Sequence, residues 1–110
     1  MSYKIITIPS FDKDLKLLSK KHKSISKDYD ELLDNLELNP KMGVEILENC
    51  FKIRMAITSK GKVKSGGARV ITFFYVKDET VYLLSIYDKS DDENISDKEI
   101  RDLIKSIDFE

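Results

Sequence analysis

Hydrophobic positions change their period once along the chain. Up to about residue 40 they recur at helical spacing. From residue 51 to 87 they alternate, and from residue 95 the helical spacing returns. A short β-branched run, Tyr3 to Ile8, opens the chain and reads as a strand closed by Pro9-Ser10. Phe11, Leu15, Leu18 and His22 then mark one stripe of a first helix, with Ser10 placed to cap it and Asp12 and Asp14 in its first turn. A second helix is predicted from about Ser26, carrying Ile25, Tyr29, Leu32, Leu33 and Leu36 on one face. It stops near Leu38, because Asn39-Pro40 disfavours helical geometry and Gly43 follows. The two helices form an αα-hairpin.

Phe51 to Thr58 alternates, with Phe51, Ile53, Met55 and Ile57 on one side and Lys52, Arg54, Ala56 and Thr58 on the other. Ala68 to Val76 is apolar on both sides after Arg69, the pattern of a central strand. The polar turn Lys77-Asp78-Glu79 leads to a further strand, Val81 to Tyr87. The final helix has the clearest start: Ser96-Asp97-Lys98-Glu99 is a capping box, followed by Ile100, Leu103, Ile104 and Ile107 on one stripe. The order β-α-α-β-β-β-α predicts an α+β fold, a small antiparallel sheet with the N-terminal helical hairpin packed on it, in one domain spanning residues 1–110.

Composition narrows the class. The 110 residues hold 19 Lys+Arg against 20 Asp+Glu and a single cysteine, Cys50, which excludes an internal disulfide and a multi-cysteine zinc site. Uncharged runs such as Val70 to Val76 are far below the roughly 20 apolar residues of a membrane helix. No signal peptide is evident at Met1 to Ile6, so a cytoplasmic protein without membrane contact is expected. The near-neutral charge conceals a block: from Phe51 to Arg69 the charged residues are Lys52, Arg54, Lys60, Lys62, Lys64 and Arg69, with no acid among them. Such a block inside an acidic chain attracts a polyanion to one place.

Gly61 and Gly66 have the gap of a phosphate-binding loop, but Gly67 stands where its lysine belongs and a strand follows. What remains is a glycine-rich loop between strands, with Lys60, Lys62 and Lys64 at alternate positions and Arg69 opening the next strand. Clustered amines and a guanidinium suit a phosphodiester. RNA strand cleavage needs a base for the 2′-hydroxyl, cations for the charged transition state and an acid for the leaving oxygen. Lysine, arginine and Tyr87 or Lys89 can supply these without a metal or other cofactor. Lys52 and Arg54 are candidate RNA contacts. His22, Cys50, Phe73, Phe74 and Tyr75 read as structural, and Asp88 to Glu93 as a solvated loop.

Asn39-Pro40-Lys41-Met42-Gly43 with Lys52-Ile53-Arg54-Met55, the run from Lys60 through Ile71, and Leu83 to Lys89 resemble the RelE/ParE superfamily of toxins from toxin–antitoxin modules, and most of all its HigB-like branch. The resemblance implies a RelE-like fold and a ribosome-dependent mRNA endonuclease that inhibits translation. On it, Lys60, Lys62 and Lys64 match the basic loop, Arg69 the arginine after it, and Lys89 a basic position after the last strand. The implied partners are the ribosome, mRNA and a cognate antitoxin of helix-turn-helix type. Ile95 falls near the position of a RelE tyrosine, and the histidines of some HigB proteins are missing. A ParE-like gyrase-binding toxin and a non-catalytic protein-binding domain of the same fold are the alternatives.

Overall fold

The computed structural model describes residues 3–60, 66–90 and 95–109. Strand β1 is Lys4–Thr7 and helix α1 Pro9–Lys21. Pro9 occupies the start of α1, where its missing N–H costs nothing. Ser10 is therefore already inside the helix and does not cap it; its hydroxyl points to the Leu84 carbonyl at 3.5 Å. Helix α2 covers Ile25–Leu38 and stops before Asn39-Pro40, as the pattern predicts. Strands β2 (Val44–Leu47), β3 (Cys50–Met55), β4 (Ala68–Tyr75) and β5 (Thr80–Asp88) follow, then helix α3 (Asp97–Lys105). The capping box of α3 is formed in both directions: Ser96 Oγ accepts from the Glu99 amide at 3.1 Å, and the Glu99 carboxylate accepts from the Ser96 amide at 3.3 Å.

The strands make one sheet in the order β1-β5-β4-β3-β2. Two expectations are corrected. The sheet has a fifth strand, β2, a four-residue edge element too short for its alternation to register. It is joined to β3 through Asn49, whose φ of 62° makes the tight reversal. The sheet is also mixed: β1 runs parallel to β5, while the other neighbours are antiparallel. The α1–α2 hairpin carries the chain from β1 to the far edge, so β1 is left to pair with the last strand. β3 ends at Met55, three residues before the alternation does. The buried Asp28 carboxylate of α2 accepts from both the amide and the hydroxyl of Thr58, each at 3.0 Å, and turns the chain into a short 3₁₀ segment, Thr58–Lys60.

Each face of the sheet has its own cover. Phe51, Ile53, Met55, Val70 and Ile86 share one face with the buried residues of the helical hairpin, Phe11, Leu18, Ile25, Leu32 and Leu36. The other face carries Lys52, Arg54, Arg69, Ile71, Phe73 and Tyr75 in register. The C-terminal segment covers only part of it: Phe109 packs against Phe73, Tyr75 and Tyr82, with ring centroids 6.1, 4.4 and 5.5 Å away. A bulge in β5 decides what else lies there. Ile71 pairs with Ser85 but Thr72 with Leu83, so Leu84 is the extra residue. Tyr82 and Tyr87, five positions apart, thereby both fall on the Arg69 face.

Two glycines differ in what they permit. Gly43 has φ +99°, and a Cβ there would lie 2.5 Å from the Lys52 carbonyl oxygen, whereas a Cβ on Gly66 would meet nothing within 4 Å. Gly43→Ala is expected to lower the unfolding free energy by about 1–3 kcal/mol. Gly66→Ala should stay within about 0.5 kcal/mol of the parent. Urea titrations followed by circular dichroism check both.

Candidate functional site

At the Arg69 end of the second face lies a hollow of about 780 Å³ lined by Lys52, Arg54, Arg69 and Lys89 together with Met42, Gly43, Val44, Ile46 and Ile53. Three strands bring the cations together. Lys52 and Arg54 come two apart from β3, Arg69 lies opposite Arg54 at the start of β4, and Lys89 follows the last residue of β5. The Lys89 amide is tied to the Gly67 carbonyl at 3.1 Å, which closes the ends of β4 and β5 on each other. No acid is found among the described residues that line the hollow. Arg54 and Lys89 are exposed, Lys52 is half-buried, and Arg69 is 4% exposed with Nη1 donating to the Ala68 carbonyl at 3.2 Å. A buried guanidinium is held in one orientation, while the exposed cations can adjust around a bound anion.

Lys60 stands elsewhere. Its ammonium donates to both oxygens of Asp88, at 3.1 and 3.2 Å, and to Ser90 Oγ at 3.1 Å. Asp88 also bonds to Nε2 of His22 at 2.9 Å and accepts from the amide and hydroxyl of Ser90. His22 itself closes α1, its amide donating to the Leu18 carbonyl. Alternation along β5 puts Asp88 on the face of Ile86, under the helices, and Lys89 on the face of the hollow. The expectation that Lys60 projects beside Arg69 is therefore not met: a buried carboxylate draws it to the opposite side of the sheet. Lys62 and Lys64 lie outside the described residues.

Asp88 is a neighbour of the candidate site that a reading of the sequence as a solvated loop overlooks. It is the last residue of β5 and only 4% exposed. Burial pushes its carboxyl up. Hydrogen bonds from Ser90, Lys60 and His22 outweigh that and hold it well below the usual carboxylate range. The available signal was its place two residues beyond Ile86 in an apolar strand. Tyr87 is buried and stands opposite Arg69 in register. Cys50 is buried, and burial together with the Glu45 carboxylate pushes its thiol up to about 11, which removes it as a nucleophile. No group of three metal-ligating side chains occurs among the described residues. None of their helices is long and apolar enough to cross a membrane.

No family model matches the chain. Solved structures do. A double arginine-to-alanine mutant of the E. coli toxin RelE in the free state superposes with a TM-score of 0.61 at 15% identity, covering 97% of this chain and 99% of that one. The intact E. coli RelBE toxin–antitoxin complex gives 0.60 at 14% identity, with 79% and 96% covered. The RelBE2 toxin–antitoxin complex of Mycobacterium tuberculosis gives 0.57 at 16% identity, with 80% and 92% covered. The chain has the RelE-like fold.

The lowered pKa of Asp88 links stability to pH. The folded state binds the Asp88 proton more weakly than the unfolded chain does. The clamp thus contributes fully above the ordinary carboxylate value of about 4, and its contribution is lost as pH falls below that. Asp88→Asn is expected to cost about 1–3 kcal/mol at pH 7 and to flatten the acid limb of the stability curve. Urea midpoints measured from pH 7 down to pH 3 for both proteins check it.

Proposed function

We propose that this protein is the toxin of a toxin–antitoxin pair and acts as a ribosome-dependent mRNA endonuclease in the cytoplasm. The observation that carries the reading is the hollow at the Arg69 end of a RelE-like sheet, where Lys52, Arg54, Arg69 and Lys89 converge with no acid among the described lining residues. A sugar–phosphate backbone is the ligand such a hollow suits. Arg69, fixed by burial, offers its fork to the non-bridging oxygens of one phosphate. Arg54 and Lys52 add positive charge on the same side.

Cleavage then follows the in-line route available to RNA. The 2′-hydroxyl loses its proton, its oxygen attacks the adjacent phosphorus, the bond to the 5′-oxygen breaks, and that oxygen leaves with a proton. The products are a 2′,3′-cyclic phosphate and a 5′-hydroxyl. The cations stabilise the charge that builds on phosphorus, work that needs no metal ion. Lys60 spends all three of its hydrogens on Asp88 and Ser90 and so supports the base of the loop instead of taking a proton. The base falls to Lys62, Lys64 or Lys89, and the acid to Lys89 or to Tyr87 beside Arg69. The ribosome would supply the strained mRNA conformation that the open hollow does not impose alone. A cognate antitoxin, of helix-turn-helix type or otherwise, would neutralise the hollow with an acidic or amphipathic segment. Antitoxin complexes among structures of the same fold support that partner.

With purified 70S ribosomes and an mRNA, new 5′ ends within codons are expected; their absence together with DNA damage in cells would instead favour a gyrase-directed toxin. Arg69→Ala should lower the cleavage rate by about 10²–10³. Because Arg69 is buried, Lys52→Ala and Lys89→Ala serve as companions. Each should lower the rate about tenfold with an unchanged thermal transition. Single-stranded RNA binding should weaken with salt, with a logarithmic slope near −3 for four phosphate contacts at about −0.7 each.

A further inference from the structure

A second, smaller pocket of about 190 Å³ adjoins the cationic hollow and shares Met42 and Arg54 with it. Its other lining residues are Asp28, Glu31, Leu32 and Asn35 from α2, and Met55, Ala56 and Thr58 at the exit of β3. The pocket exists because β2 pairs with β3 only as far as Lys52, so among the described residues no strand lies against the outer edge of β3 beyond it. A strand edge offers backbone donors and acceptors at fixed spacing.

The lining sorts into two kinds. Leu32, Met42 and Met55 give apolar surface, and the thioethers adapt to a flat ring. Glu31, Asn35 and Arg54 are exposed polar groups at the rim, and none has a side-chain partner among the described residues. Asp28 is buried and already accepts from Ser24 and Thr58. That leaves Glu31 as the available carboxylate. The volume is that of about six waters, on the scale of one heterocycle. Arg54 stands between the two cavities, where its guanidinium plane can stack on a base while its charge faces a phosphate.

We propose that this pocket holds a nucleobase of the RNA whose phosphate occupies the hollow, and that Glu31 and Asn35 determine which base is accepted. The proposal rests on the phosphate-binding reading of the hollow. A carboxylate at the rim accepts from an exocyclic amine and repels a carbonyl oxygen. Adenine, cytosine and guanine present such an amine, and uracil does not. The pocket therefore selects amino-bearing bases against uracil, and Asn35, with both a donor and an acceptor, separates them further. Glu31 and Asn35 touch the base only, so they are specificity-determining residues and take no part in the transfer of protons or phosphorus.

The test is binding of four short single-stranded RNAs that differ at one central base within a common uridine background, read by fluorescence anisotropy at fixed salt. The parent protein should bind the adenine, cytosine and guanine strands about tenfold more tightly than the all-uridine strand. Glu31→Gln, which can donate to a carbonyl as well as accept, should bring the four within about twofold while leaving the salt slope unchanged. Equal affinity of the parent for all four strands, or an unchanged preference in Glu31→Gln, overturns the base pocket and leaves the cationic hollow standing. Failure to bind any strand overturns both. Selective binding without cleavage on the ribosome retains the pocket and removes the nuclease reading.

Discussion

β4 is apolar on both faces beyond Arg69, and a strand of that kind has to be covered on both. The helical hairpin supplies one complete cover. On the other face, among the described residues, the C-terminal tail brings Phe109 onto Phe73, Tyr75 and Tyr82. That is enough for the end of β4 around Phe73 and Tyr75. At the opposite end the strand switches from apolar side chains to a buried Arg69, and the hollow lies there. The candidate site thus lies where a two-sided apolar strand gives way to a charge. A guanidinium in that position can be largely desolvated and still face an anion.

Charge is partitioned by the sheet itself. Adjacent residues Asp88 and Lys89 point to opposite sides, so β5 ends with a carboxylate under the helices and an amine over the hollow. Asp88 gathers Lys60, His22 and Ser90, and so joins the end of α1, the turn after β3 and the end of β5 at one buried point. A carboxylate on the other side would neutralise the cations that the hollow collects. The clamp keeps that negative charge separate while it positions the turn from which the basic loop departs. Asp28 does the same at the neighbouring corner, holding Thr58 and receiving Ser24. Both acids serve the site by fixing backbone, and neither faces the hollow.

The periodicity of the sequence was sufficient for the helical hairpin, for the three long strands and for the capped last helix. Each is a local pattern with a strong signal: helical spacing, alternation, or a reciprocal cap. Arg69 was legible as a buried charge for the same reason, since a charge at the mouth of an apolar strand has few inexpensive places to be. Lys52, Arg54 and Lys89 were legible as a basic set. Their convergence was not, because it depends on the order in which three strands lie side by side.

Tertiary structure alone decided the rest. Strand β2 is four residues long and owes its existence to pairing with β3. The parallel placement of β1 follows from the path of the helical hairpin. The bulge at Leu84, which puts Tyr82 and Tyr87 on one face, leaves no mark in an unbroken apolar run. Lys60 is the clearest instance: by spacing it belongs with Arg69, yet a buried carboxylate 28 residues away draws it to the other side of the sheet. Local composition sets which residues can form a strand, a helix or a cationic site. Which face each side chain meets depends on register and on long-range charge pairing, and these exist only once distant segments are packed together.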